Sequence, residues 1–144
     1  MKDKEIILKA EGENYPFLQD HCYIKLSSDQ TAGELCIVED TLKPGFYLPR
    51  HYHKVMLEVF YILEGEVEYT FDDEVFIAKA GDTITIPPGV WHAARCEKGA
   101  KMINVFKNGS FDKYLKRLTE LTEEQFADTI FMKQVAAEFD IYEE

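Results

Sequence analysis

The sequence predicts a mainly β fold, an all-β barrel or sandwich carrying two C-terminal α-helices. From about Ile6 to Phe106, short apolar runs are broken by turn residues, which is the pattern of an all-β domain. Within that region EGEVEYTFDDEVFIAKAGD alternates, with Val67, Tyr69 and Phe71 on one face and Glu66, Glu68 and Thr70 on the other, as a half-exposed hairpin requires. After Gly109 the apolar period lengthens to that of a helix.

Strands are expected at Cys22 to Leu26, Gly33 to Glu39, Tyr47 to His53, Glu58 to Leu63, Glu66 to Phe71, Glu74 to Ala78, Thr83 to Ile86, Ala93 to Cys96 and Met102 to Phe106. Between them KPG (43–45), EG (64–65), DD (72–73), AGD (80–82) and PPG (87–89) are expected turns, where Pro presets one angle and Gly supplies a positive φ. SFDKYLKRLTEL places Phe111, Tyr114, Leu115, Leu118 and Leu121 at helical spacing. Thr122 with Gln125 forms a capping box for a second helix running to about Glu138, with Phe126, Ile130, Val135 and Phe139 facing the β domain. This divides the chain into a β-barrel segment, residues 1–109, and a helical extension, residues 110–144, packed on the barrel or on a partner subunit.

A chain of 144 residues can bury a core without disulfide or metal staples. No apolar run reaches the roughly 18 residues of a membrane span. The opening MKDKEIILKAEGENY has only a short apolar patch interrupted by Lys9, unlike a signal peptide, so a cytoplasmic protein is expected. Twenty-seven acids against 16 bases give a net charge of −11 with no basic stripe, which argues against nucleic acid as a partner. Cys22, Cys36 and Cys96 are odd in number and widely spaced, as reduced packing residues are.

Chemistry concentrates between residues 51 and 92. His51 and His53 stand at i and i+2, so on a strand they share a face, and neutral imidazole is a common metal ligand. Glu58 is a lone carboxylate within the apolar run VMLEVFYIL, where an unpaired charge would be costly. Its odd offset from His53 requires a turn or bulge within Lys54 to Leu57 if it is to join the histidines. Otherwise an ion pair with Arg50 or Lys54 would account for it. His92 arrives from a later strand just after PPGVW.

These residues resemble the cupin superfamily. Gly45, FYLPR, His51, Tyr52, His53, KVML, Glu58, VFYILE and Gly65 follow the first family motif. Gly81, DTITI, Pro87, Pro88, Gly89, Val90, Trp91 and His92 follow the second, whose final Asn is Cys96 here. The resemblance implies a double-stranded β-helix, a small jelly-roll barrel, with a divalent transition metal (Fe, Mn, Ni, Zn or Cu) bound by His51, His53, Glu58 and His92.

Residues sharing parity with these four place Tyr47, Pro49, Phe60 and Ile62 around an apolar pocket, with the Tyr47 phenol as its polar handle or as packing. Cys96 and Asn104 are further candidates for the pocket, each with packing or backbone pairing as the alternative. The resemblance points to a small-molecule enzyme close to the quercetinase-type dioxygenases, with Glu58 as ligand and catalytic base. A non-redox isomerase, cyclase or decarboxylase and a non-catalytic ligand-binding protein are the alternatives. It also implies a homodimer.

Overall fold

The computed structural model describes residues 4–144, so the first three residues of the expected barrel segment lie outside the described residues. Ten strands occur among the described residues: β1 (Asn14–Pro16), β2 (Asp20–Leu26), β3 (Leu35–Leu42), β4 (Phe46–Tyr52), β5 (Leu57–Thr70), β6 (Val75–Lys79), β7 (Thr83–Ile86), β8 (His92–Cys96), β9 (Ala100–Lys107) and β10 (Tyr142–Glu143). All pairings are antiparallel. The first half of β5 pairs with β9 and β7 in one sheet, and its second half pairs with β6 and β8 in the other. The fold is therefore a jelly-roll barrel in which one long strand belongs to both walls.

That continuity corrects an expectation. Glu64 and Gly65 do not form a turn, and the two strands read on either side of them are one. The register slips between Ile62 and Glu64, and Gly65 takes φ +82°, so the strand bends from one sheet into the other. A Cβ at Gly65 would lie 2.6 Å from the Gly99 carbonyl oxygen. Only glycine meets both conditions at this crossing. Beyond it the alternation follows the sequence: Val67 and Tyr69 are buried, while Glu66 and Thr70 are exposed.

The C-terminal part differs from expectation in one break. Helix α1 (Phe111–Thr119) is followed by α2 (Glu123–Ala127) and α3 (Thr129–Glu138), three helices where two were expected. Thr122 and Gln125 do form the capping box. Asp128, however, is extended, and its carboxylate accepts from the Phe131 N–H at 3.1 Å, so it starts a new helix. An Asp in that position competes for backbone N–H groups and ends the helix before it. Val135 is buried and Phe139 packs on Tyr114, but Ile130 is 72% exposed and does not face the barrel. Helix α1 docks through Leu115 and through Phe111, whose ring stacks on Phe106 at 4.3 Å. No helix among the described residues is long and apolar enough to cross a membrane.

The chain between His53 and Leu57 bends at Lys54 and Val55. Asp140, at φ +63° just after α3, causes the bend to hold: its carboxylate accepts from the backbone N–H groups of Lys54, Val55 and Met56 at 2.8 to 2.9 Å. These three donors would otherwise lose the ladder partners that a straight strand provides. From Asp140 the chain passes into β10, which pairs with β4 beside His51.

Two stability predictions follow from these contacts. Asp140→Ala strands three backbone donors and removes charge-assisted bonds, and should cost about 3 kcal/mol in urea unfolding, with Asp140→Asn intermediate. Gly65→Ala should cost about 2 kcal/mol or more, from backbone strain plus the clash with Gly99, and should lower Tm correspondingly.

Candidate metal centre

Four side chains converge at one end of the barrel. Strand β4 carries His51, directly opposite His92, the first residue of β8. His53 follows the end of β4, and after the bend Glu58 enters as the second residue of β5. The PPG turn is tied to this end as well, since the Gly89 N–H donates to the His53 carbonyl at 2.7 Å. All four residues are buried, none more than 4% exposed. One candidate ligand atom from each lies within 4.8 Å of the others.

The hydrogen bonds decide which ring nitrogens face inward. Each Nδ1 lies against a backbone carbonyl: His51 on Pro49 at 2.7 Å, His53 on Asp140 at 2.7 Å and His92 on Val90 at 2.9 Å. A carbonyl only accepts, so each Nδ1 carries the proton and a neutral ring presents the Nε2 lone pair to the cluster. The Glu58 oxygens stand 3.0 Å from His53 Nε2 and 3.1 Å from His92 Nε2. The His53 contact lacks hydrogen-bond alignment, leaving that nitrogen without a partner despite its burial. Lone pairs and a carboxylate facing one another repel unless a proton or a cation lies among them. A divalent cation accepts all four at once, and the residues fit one.

The titration behaviour has the same origin. Burial would push Glu58 up, but the His53 and His92 rings beside it, acting as donors when protons rather than a cation fill the cluster, outweigh it and hold the carboxyl at about 2. Burial, aided by neighbouring His92, pushes His51 down to about 4. For His53 burial also acts downward, and the Glu58 carboxylate and the Asp140 carbonyl turn the balance upward. The ion-pair alternative for Glu58 is not what the structure shows. Arg50 pairs with Asp72 and Glu144 and lies over the Trp91 ring, and the Lys54 ammonium lies over the Tyr142 ring.

His51, Glu58 and His92 line a cavity of about 1080 Å³ that is mostly apolar. Phe60, Asn104 and Pro49 are on its wall. Ile62 is fully buried in the core behind it and does not line it. Tyr47 is a correction: it is 54% exposed and lines a separate outer groove, because the register slips between Leu48 and His51 and reverses the side-chain parity before the slip. Cys96 has the parity of His92 but stands four residues further along β8, about 13 Å away. There it borders the outer groove, with its thiol on the Glu66 carbonyl.

Several residues of this site had no expectation attached. Tyr69 and Met102 line the cavity, and their inward parity on β5 and β9 was available from alternation. Phe111, Tyr114 and Leu118 of α1 roof it, their spacing marking a buried face without saying what it covers, and Phe126 of α2, expected to face the β domain, also lines it while 46% exposed. Asp140, which holds the bend and orients His53, carries no local signal at all.

Residues 38–106 match the family model described as the cupin domain. Among curated proteins the chain is 27% identical over 96 residues to quercetin 2,3-dioxygenase of Bacillus subtilis, covering 66% of this chain and 28% of that protein. It is 50% identical over 42 residues to an uncharacterized protein of Methanocaldococcus jannaschii, of which it covers 34%. The chain thus spans about a third or less of the curated relatives it matches. Among solved structures, an RmlC-like cupin from Shewanella frigidimarina aligns with TM-score 0.62 at 24% identity, over 75% of this chain and 95% of that one. Motif positions, barrel topology and family model agree, and the chain carries a cupin domain over residues 38–106.

Proposed function

We propose that this chain is a metal-dependent small-molecule enzyme, a dioxygenase of the quercetinase kind acting on a hydroxylated or enolisable apolar compound. The observation that carries the reading is the placement of the buried His51, His53, Glu58 and His92 cluster at the wall of a large apolar cavity. A structural metal site would be closed in by its ligands and would have no need of such a cavity. The match to quercetin 2,3-dioxygenase over two thirds of the chain supports the reaction class.

His51, His53, Glu58 and His92 would hold Fe, Mn, Ni, Zn or Cu. Once bound, such a cation supplies Lewis acidity and, where redox-active, a path for electrons to dioxygen. The remaining work falls to the chain. Backbone carbonyls at Nδ1 fix the three imidazoles and keep them basic. Glu58 has two oxygens, so one can accept the proton of a substrate hydroxyl or enol while the other stays engaged. Phe60, Tyr69 and Phe106 keep water from the reacting end.

The same reading takes residues 110–144 as an extension that roofs the barrel of residues 1–109. It also takes the chain as a cytoplasmic homodimer. Exposed Val75, Phe76 and Ile77 on β6, which among the described residues pairs only with β5, support the dimer, and three free, buried cysteines support the compartment.

Metal analysis of the purified protein should find about one transition metal per chain, with most of it lost in His51→Ala. Oxygen uptake with flavonols or 1,3-diketones should follow metal content, and Glu58→Gln should lower kcat/KM by about 10²- to 10⁴-fold. Turnover under strict anaerobiosis would replace this reading with isomerisation, cyclisation or decarboxylation. Tight ligand binding that persists without metal and without turnover would make the chain a binding protein.

A further inference from the structure

A second polar group lies in the cavity, apart from the four-residue cluster. On β3 the inward positions are Cys36, Val38, Asp40 and Leu42, and on β9 they are Ala100, Met102, Asn104 and Phe106. Asp40 and Asn104 thus interrupt two otherwise apolar rows. They are 5% and 3% exposed, and both line the cavity. Asp20 of β2 also lines it, and the Cys22 thiol lies 3.5 Å from a carboxylate oxygen of each aspartate.

Carboxyls this close cannot both ionise freely, which favours a single proton shared between them. Burial, reinforced by the nearby Asp20 charge, pushes Asp40 well above the usual carboxylate range. Cys22, buried and beside both aspartates, keeps its proton, which leaves the group short of ligands for a cation. Asn104 hydrogen-bonds Asp40 through its side chain, yet its Oδ1 has no partner. A buried carbonyl oxygen left empty in a cavity wall is what a ligand donor would fill.

Strand register sets the distance between the two groups. Asn104 is opposite Phe60, two residues on from Glu58, and Asp40 is opposite Met102, which is opposite Ile62. Standard strand spacing then puts Asn104 about 8 Å from Glu58, and Asp40 roughly 16 Å from it along the sheet. That interval suits a molecule of one to three rings.

We propose that Asn104 and the Asp40–Asp20 pair form a second recognition pole, which takes a hydroxyl group on an apolar ring compound at the end opposite His51, His53, Glu58 and His92. The inference rests on reading the cavity as a substrate site. A hydroxyl donates to Asn104 Oδ1 and accepts the proton shared by the carboxyls. An ammonium group can only donate, and a ligand carboxylate would meet the aspartate charge.

The test is equilibrium binding to the metal-loaded full chain with two matched pairs, 3,4′-dihydroxyflavone against 3-hydroxyflavone and 4,4′-dihydroxybiphenyl against 4-hydroxybiphenyl. The member with the distal hydroxyl should bind about tenfold more tightly. Asn104→Leu should abolish that preference and Asp40→Asn should reduce it, while affinity for the two simpler compounds and metal content stay constant. Should Asn104→Leu fail to fold, Asp40→Asn alone decides. Equal affinities in the wild type, or a preference that survives both variants, would overturn the pole. Preference without oxygen uptake would leave the pole standing and remove the dioxygenase; oxygen uptake without preference would do the reverse. No binding of any of the four compounds would overturn both.

Discussion

The carboxylate of Glu58 sits in a barrel wall facing three imidazoles whose Nδ1 protons are already committed to the carbonyls of Pro49, Asp140 and Val90. With those protons held, what the cluster offers its centre is negative charge and lone pairs, an arrangement that only a cation or borrowed protons can stabilise. Much of the surrounding architecture serves to impose it. The register slip in β4 brings His51 inward, the PPG turn joins the His92 strand to His53, and the bend before β5 brings Glu58 round to the same side. Frustration of this kind persists in a fold only where the rest of the structure over-determines it.

That over-determination comes largely from the C-terminal part of the chain. Asp140 contributes three acceptor contacts to the bend and its own carbonyl to His53, and β10 then pairs alongside His51. Meanwhile α1 and α2 cover the cavity that the cluster borders. One segment thus shapes both the His–Glu cluster and the cavity beside it. Residues 110–144 lie wholly outside the span matched by the family model, so the features that distinguish this member are concentrated where family resemblance says least.

The cavity has two polar ends on one sheet. Glu58 is at the end of β5, where β9 and β7 flank it, and Asn104 and Asp40 are displaced along β9 and β3 with Phe60 and Met102 between. An apolar floor with separated polar ends would select a bound molecule for length and for the placement of its substituents.

The four cluster residues were legible in the sequence because their spacing is local: two histidines at i and i+2, a carboxylate stranded in an apolar run, and a histidine after a Pro-Pro-Gly turn. The need for a bend after His53 could be read from the odd offset alone, and most strands from their alternation. What alternation could not show was where it is interrupted. A register slip turned Tyr47 outward, another carried β5 straight through Glu64 and Gly65, and an extended Asp128 split the last helix. Cys96 had the right parity and the wrong distance, since period two says which face a residue takes and not how far along the strand it sits. The clamp of Asp140 on backbone 84 to 86 residues away belongs entirely to the tertiary structure. Local periodicity and motif spacing determined which groups can bind. Only the folded chain decided how they are held, because a slip in register and a carboxylate on distant backbone N–H groups leave no periodic trace in the sequence.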